Sequence, residues 1–136
     1  RSIWSSFSTS YASPKKIWTD LYKELRDCAV DFIGNDKDLC YQSWLNYHLE
    51  HQLLDWHDHE WPYHGYISIQ PLNSKTVFED FSINNEIGNI YIGHGNLKHK
   101  VECDQVNLPR ITLGFDITDQ TDHISANKGL QQLFVR

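Results

Sequence analysis

The chemistry in this chain is concentrated in one short interval. Of its eight histidines, five (His48, His51, His57, His59 and His64) fall between positions 48 and 64. In the stretch LLDWHDHEWPYHGYISIQP, residues 53–71, His57 and His59 stand two apart. On a strand that spacing puts both imidazoles on one face, where they can offer two nitrogens to a single metal ion. One strand cannot close around an ion, so a third ligand has to come from elsewhere, and His99 in GNIYIGHGNLKHKV, residues 88–101, is the available source. Asp58 and Glu60 alternate with the pair and face away on a regular strand, whereas a bulge would bring one of them in as the second ligand. Two histidines and a carboxylate would make a facial triad with open positions for dioxygen and a chelating co-substrate. His48, His51 and His123 read as ordinary hydrogen-bonded polar residues, while His64 and His94 fit either role.

A second constellation follows. Eleven residues after His99 comes Arg110, and Thr112 stands two further on, on the same face of the strand PRITLGFDI, 109–117. A guanidinium holds a carboxylate through two parallel hydrogen bonds, and a neighbouring hydroxyl adds a third. That pairing suits the far end of a dicarboxylate.

The elements that must position these groups can be read from hydrophobic spacing. Ser13 and Pro14 look like the cap and first residue of a helix over 14–33, with Ile17, Leu21, Leu25, Cys28 or Ala29, and Phe32 on one face and Gly34 as the stop. Lys16, Asp20, Lys23, Glu24, Asp27 and Asp31 form its solvated face. Beyond position 40 the pattern changes to short runs rich in β-branched and aromatic residues, at 41–48, 53–59, 64–70, 75–80, 88–92, 98–103, 109–117 and 131–135. In the clearest of them Ile111, Leu113, Phe115 and Ile117 point one way and Arg110, Thr112, Gly114 and Asp116 the other. The expected fold is mainly β: eight short strands and a single helix suggest a sandwich or a jelly-roll barrel with the N-terminal α-helix packed on it. The whole chain, 1–136, reads as one domain with an arm over 1–12, the helix over 14–33 and the barrel over 41–136.

Composition narrows the function classes. The 136 residues carry 12 Lys+Arg against 18 Asp+Glu, a net charge of −6, so the chain cannot neutralise many phosphates and no nucleic-acid partner is expected. Mean hydropathy of −0.56 and the lack of a long apolar run argue against a membrane helix. Cys28, Cys40 and Cys103 lack C-x-x-C spacing and read as buried thiols of a reducing compartment, which with no signal sequence suggests the cytoplasm of a bacterium or phage-infected cell. The start at Arg1 and the absence of methionine point to a trimmed chain. Pairing of two copies through an edge strand is a further expectation.

The order H-x-H, then G-x-(I/V)-x-(I/V) into a loop and a histidine, then R-x-T, resembles the iron(II)/2-oxoglutarate-dependent oxygenases over positions 44 to 117, and most of all their small bacterial and phage members. The resemblance implies a double-stranded β-helix (jelly-roll, cupin-like barrel) as the fold, Fe(II) and 2-oxoglutarate as cofactors, and oxidation of a substrate coupled to decarboxylation of 2-oxoglutarate to succinate. It makes His57 the first ligand and His99 the distal one, with Arg110 on the terminal carboxylate of 2-oxoglutarate and Thr112 supporting it. His59 stands where that family usually has a carboxylate, so the second ligand is open between His59, Asp58 and Glu60. Asn46, Tyr66 and Ser68 fall where the family places co-substrate contacts. The short interval from His57 to His99 leaves little room for a substrate lid.

Two other classes compete. A cupin would use His57, His59, His64 in place of its usual Glu, and His99, as a four-histidine site, but the second motif lacks Pro-x-Gly and Arg110 and Thr112 would have no role. A jelly-roll interaction domain would use the aromatics as core and the histidines as surface.

Overall fold

A computed structural model describes residues 2–5, 16–34, 39–49, 54–104, 107–118 and 131–133. The helix, α1, spans Lys16–Ile33. Gly34 follows it in the left-handed region (φ 76°) and donates its N–H to the carbonyl of Val30, the conformation in which glycine ends helices most cheaply. The expected cap at Ser13 and Pro14 lies outside the described residues.

The described residues also form nine strands: β1 Ser2–Ser5, β2 Leu39–His48, β3 Tyr63–Gln70, β4 Ser74–Phe78, β5 Ser82–Asn84, β6 Ile90–His94, β7 His99–Cys103, β8 Arg110–Thr118 and β9 Gln131–Leu133. One sheet has the order β1-β2-β8-β3-β6, with β9 also on β2, and the other has the order β5-β4-β7. All the pairings are antiparallel. Of the expected strand 53–59, residue 53 lies outside the described residues and 54–59 makes only a bridge between His57 and His99, yet it runs along β7. His57 and His99 exchange backbone hydrogen bonds of 3.0 and 2.9 Å, and Val101 donates to Leu54. With that segment in place, β2-β8-β3-β6 faces 54–59-β7-β4-β5, which is a jelly roll.

Several boundaries differ from the sequence reading. Part of the expected arm, Ser2–Ser5, is an edge strand on β2, and the barrel begins at Leu39. The three-residue β5 was not foreseen, because nothing so short can show an alternation. β6 starts at Ile90, after a turn in which Gly88 has a φ of 84°.

The core sits between α1 and the larger sheet. Leu25 and Ala29 pack on Leu39, Tyr41, Ile67, Leu113, Phe115 and Ile117, all buried, and Leu21 and Ile33 extend the contact. Burying a leucine such as Leu25 contributes about 2 kcal/mol. The helix ends depart from the expected stripe: Ile17 is 72% exposed, and Phe32 instead sets its ring edge-on to Tyr63. No disulfide joins Cys28, Cys40 and Cys103; Cys40 is buried and the other two are half-buried. No described helix is long and apolar enough to cross a membrane.

The other face of the larger sheet turns toward the smaller one and is polar. The register stacks it in layers: Gln42, Asp116 and His64; then Trp44, Gly114 and Tyr66; then Asn46, Thr112 and Ser68; then His48 beside Arg110. β8, central in its sheet, is therefore buried on both faces, apolar toward the helix and polar toward the barrel.

Candidate metal centre

The first of these layers carries the histidine cluster. The alternation in 54–59 sends His57 and His59 inward and leaves Asp58 and Glu60 exposed. His99 opens β7 opposite His57, and His64 enters from β3 across from Asp116. Ring centroids lie 4.4 Å apart for His57 and His99, 5.4 Å for His57 and His59, and 5.5 Å for His59 and His99. His64 stacks on His59 at 3.4 Å, and its centroid is 5.3 Å from that of His99. One nitrogen from each of His57, His59 and His99 lies within 4.8 Å of the others.

The hydrogen bonds fix which nitrogen of each ring is available. Nδ1 of His57 meets the carbonyl of Asp55 at 2.7 Å, and Nδ1 of His99 meets the carbonyl of Leu97 at 2.9 Å. A carbonyl only accepts, so both nitrogens carry the proton. Nδ1 of His64 and Nδ1 of His59 lie 2.8 and 3.1 Å from the same oxygen, Oδ1 of Asp116. Oδ2 of Asp116 accepts from Gln42 at 3.2 Å. Each of the four rings is thus tied down through Nδ1 to an oxygen, leaving Nε2 as its donor atom, the arrangement by which metal-ligating histidines are oriented. Nε2 of His59 is buried and has no hydrogen-bond partner. An orphaned imidazole nitrogen among three other imidazoles is the chemistry that a borderline divalent ion satisfies.

Electrostatics agree with that role. Burial would raise the Asp116 carboxyl, but the hydrogen bonds from His59 and His64 outweigh it and hold the group at about 2. Burial lowers His64 and takes His99 to about 4. Both imidazoles are neutral at pH 7, as ligands must be. His59, His64 and Asp116 also form a close trio, and with its oxygens occupied by three donors Asp116 reads as the group that orients the two rings. Trp44 lies over His59 and His64 at 24° to each, and Gly114 makes room for it, since a Cβ there would come within 2.8 Å of the indole. A cavity of about 490 Å³ opens to solvent beside His59 and is lined by Trp61, Tyr63 and His94.

The far layers hold the other expected residues. Arg110 is 4% exposed, and its Nε donates to Ser74 Oγ at 3.3 Å. It has no carboxylate partner among the described residues. Thr112 accepts from Asn46 Nδ2 at 3.3 Å, Ser68 is buried opposite Thr112, and the Tyr66 hydroxyl donates to Asn85 at 2.8 Å. Arg110 and Asp116 are six residues apart on one face of β8, about 20 Å of strand.

The structure thus gathers His57, His59, His64 and His99 and leaves Asp58 and Glu60 outside, because neighbours of inward residues on an extended segment face outward. His94 is exposed at the rim, with its ring 5.7 Å from that of Phe32. His51 and His123 lie outside the described residues. Two residues were missed. The sequence reading sets Asp116 on the Arg110 face of its strand and gives it no role; that face is buried, and a carboxylate there has to find donors. His48, read as an ordinary hydrogen-bonded residue, is 2% exposed with neither ring nitrogen partnered.

No family model and no curated protein matches this chain. Among solved structures, it is similar to a cupin-2 domain protein from Shewanella frigidimarina, at 18% identity and a TM-score of 0.46 over 56% of this chain and 69% of that one. It is also similar to a cupin protein from Bacteroides fragilis, at 11% identity and a TM-score of 0.49 over 60% and 68%. A cupin domain from Bordetella pertussis gives 12% and 0.44 over 62% and 85%. The likeness is one of backbone course, and at these values it bears on neither the site nor an activity.

Proposed function

We propose that this chain is a cupin-type metal protein in which His57, His59 and His99, with His64 beside them, hold one divalent first-row transition ion. The observation that carries this reading is the common orientation of the rings. All four are anchored through Nδ1, and the buried Nε2 of His59 is left without a partner. An all-imidazole set favours iron, zinc, nickel or copper over magnesium and calcium. Such an ion, when bound, supplies open coordination positions and Lewis acidity. The chain's own contribution is to hold the imidazoles neutral and aligned, to keep Asp116 ionised behind two of them, and to leave an opening beside His59 for a substrate. The test is metal retention after reconstitution and desalting: about one equivalent is expected in the wild type and in His94→Ala, and none in His57→Ala or His99→Ala. Equal retention in all four proteins would refute the site.

A second, finer reading is an iron(II)/2-oxoglutarate-dependent dioxygenase, and Arg110 favours it. A buried guanidinium without a carboxylate partner among the described residues, facing the same barrel interior as the histidines, suits one end of a 2-oxo diacid, with Thr112, Asn46, Tyr66 and Ser68 around it. On this reading anaerobic iron(II) plus 2-oxoglutarate gives a weak visible charge-transfer band that Arg110→Ala abolishes. Absence of the band in a wild type that retains iron would leave the metal reading and remove this one.

A further inference from the structure

The end of the barrel away from the histidine cluster contains polar groups with no partner. His48 is 2% exposed and neither Nδ1 nor Nε2 makes a hydrogen bond, and Ser68, 1% exposed, has an unpartnered Oγ. His48 pairs in register with Arg110, and Ser68 with Thr112, the next inward residue of β8. A buried cation, an imidazole lacking both hydrogen bonds and a hydroxyl lacking its own are each costly alone, and they lie on one polar face. One bound group that accepts hydrogen bonds and carries negative charge would satisfy all three.

We propose that His48 is a binding residue of an anion site at this end, where it donates one ring N–H to a carboxylate held by the Arg110 guanidinium, with Ser68 Oγ as a further donor. The inference rests on the Arg110 half of the second reading above and not on the metal. Charge selects the ligand class. Arg110 brings one positive charge to this end and His48 is a neutral donor, so a single carboxylate balances the site, whereas inorganic phosphate near neutral pH would bury close to a second, uncompensated charge. His48 thereby sets the preference for a carboxylate, a role separate from the arginine's.

The experiment is isothermal titration of the metal-free full chain with acetate and inorganic phosphate, alongside melting curves. The wild type is expected to bind acetate more tightly than phosphate, and Arg110→Met to lose that binding. His48→Leu is expected to weaken it at least about tenfold, the scale of one hydrogen bond to a charged group. His48→Leu is also expected to melt higher than wild type without ligand, because it removes two orphaned polar atoms, and His48→Gln, which keeps an N–H, to recover most of the affinity. A residue with a purely structural role would not give opposite effects on affinity and melting. Unchanged affinity in a folded His48→Leu, with binding lost in Arg110→Met, would overturn the role of His48 and leave the arginine reading. If no carboxylate binds the wild type while metal is still retained by the histidines, the anion site is overturned and the metal centre stands.

Discussion

Replacing Asp116 by asparagine tests how the metal centre is built. Oδ1 of Asp116 accepts from both His59 and His64, at 3.1 and 2.8 Å. An asparagine whose Oδ1 keeps this place still accepts from both rings, but it lacks the negative charge that strengthens both bonds, and its amide replaces Oδ2 opposite the Gln42 amide. Two magnitudes follow. The Asp116 carboxyl lies at about 2 in the folded chain against an ordinary 3.8, a shift equivalent to about 2 kcal/mol of stability at neutral pH. Because the folded value is the lower one, this contribution is complete above the ordinary value and disappears as pH falls through 2. Loss of a carboxylate behind a metal-bound histidine typically costs 10- to 100-fold in affinity. Chelator competition on Asp116→Asn is therefore expected to show metal binding weaker by about that factor, and metal-free Asp116→Asn to melt several degrees lower at pH 7. Wild-type affinity together with wild-type melting would refute the orienting role of Asp116.

Acid should loosen the metal-free protein in a defined window. His48 and His99 sit at about 4, mainly through burial, so between pH 6.5 and 4 the unfolded chain takes up protons that the folded chain refuses. The loss reaches up to about 3 kcal/mol for each residue by pH 4, and melting against pH checks it; a flat profile across that window would contradict the burial argument. Gly114→Ala forces the Trp44 indole to move, since the added Cβ would stand 2.8 Å from it, with an expected cost of about 1–3 kcal/mol and a shift in Trp fluorescence on metal binding. Leu25→Ala removes the centre of the helix contact, and an expected loss of about 2–5 kcal/mol should appear in denaturant midpoints with metal stoichiometry unchanged.

Much of this arrangement is local enough to be read from residue order. The alternation in β8 gave both of its faces, the α1 stripe gave Leu25 as a packing position and left the next one open between Cys28 and Ala29, and the two-residue spacing of His57 and His59 put them on one face. Other parts depend on which strands pair and in what register, which residue order does not carry. His64 meets Asp116 only because β3 lies against β8 with those two residues opposed, and His48 meets Arg110 only through the corresponding register of β2. The segment 54–59 has strand-like alternation but forms one bridge, because it follows β7 for only part of its length. Ile17 obeys the helical period yet is exposed, since it lies at the start of α1, beyond the reach of the sheet.

The central claim is that imidazoles from 54–59, β3 and β7 share one ion. X-ray absorption of the reconstituted, desalted protein measures this directly. The account predicts one equivalent of metal with three or four imidazole nitrogens at about 2.0–2.1 Å, falling by one nitrogen or losing the ion in His99→Ala. An ion bound only by oxygen ligands, or a nitrogen count unaffected by that substitution, would contradict it.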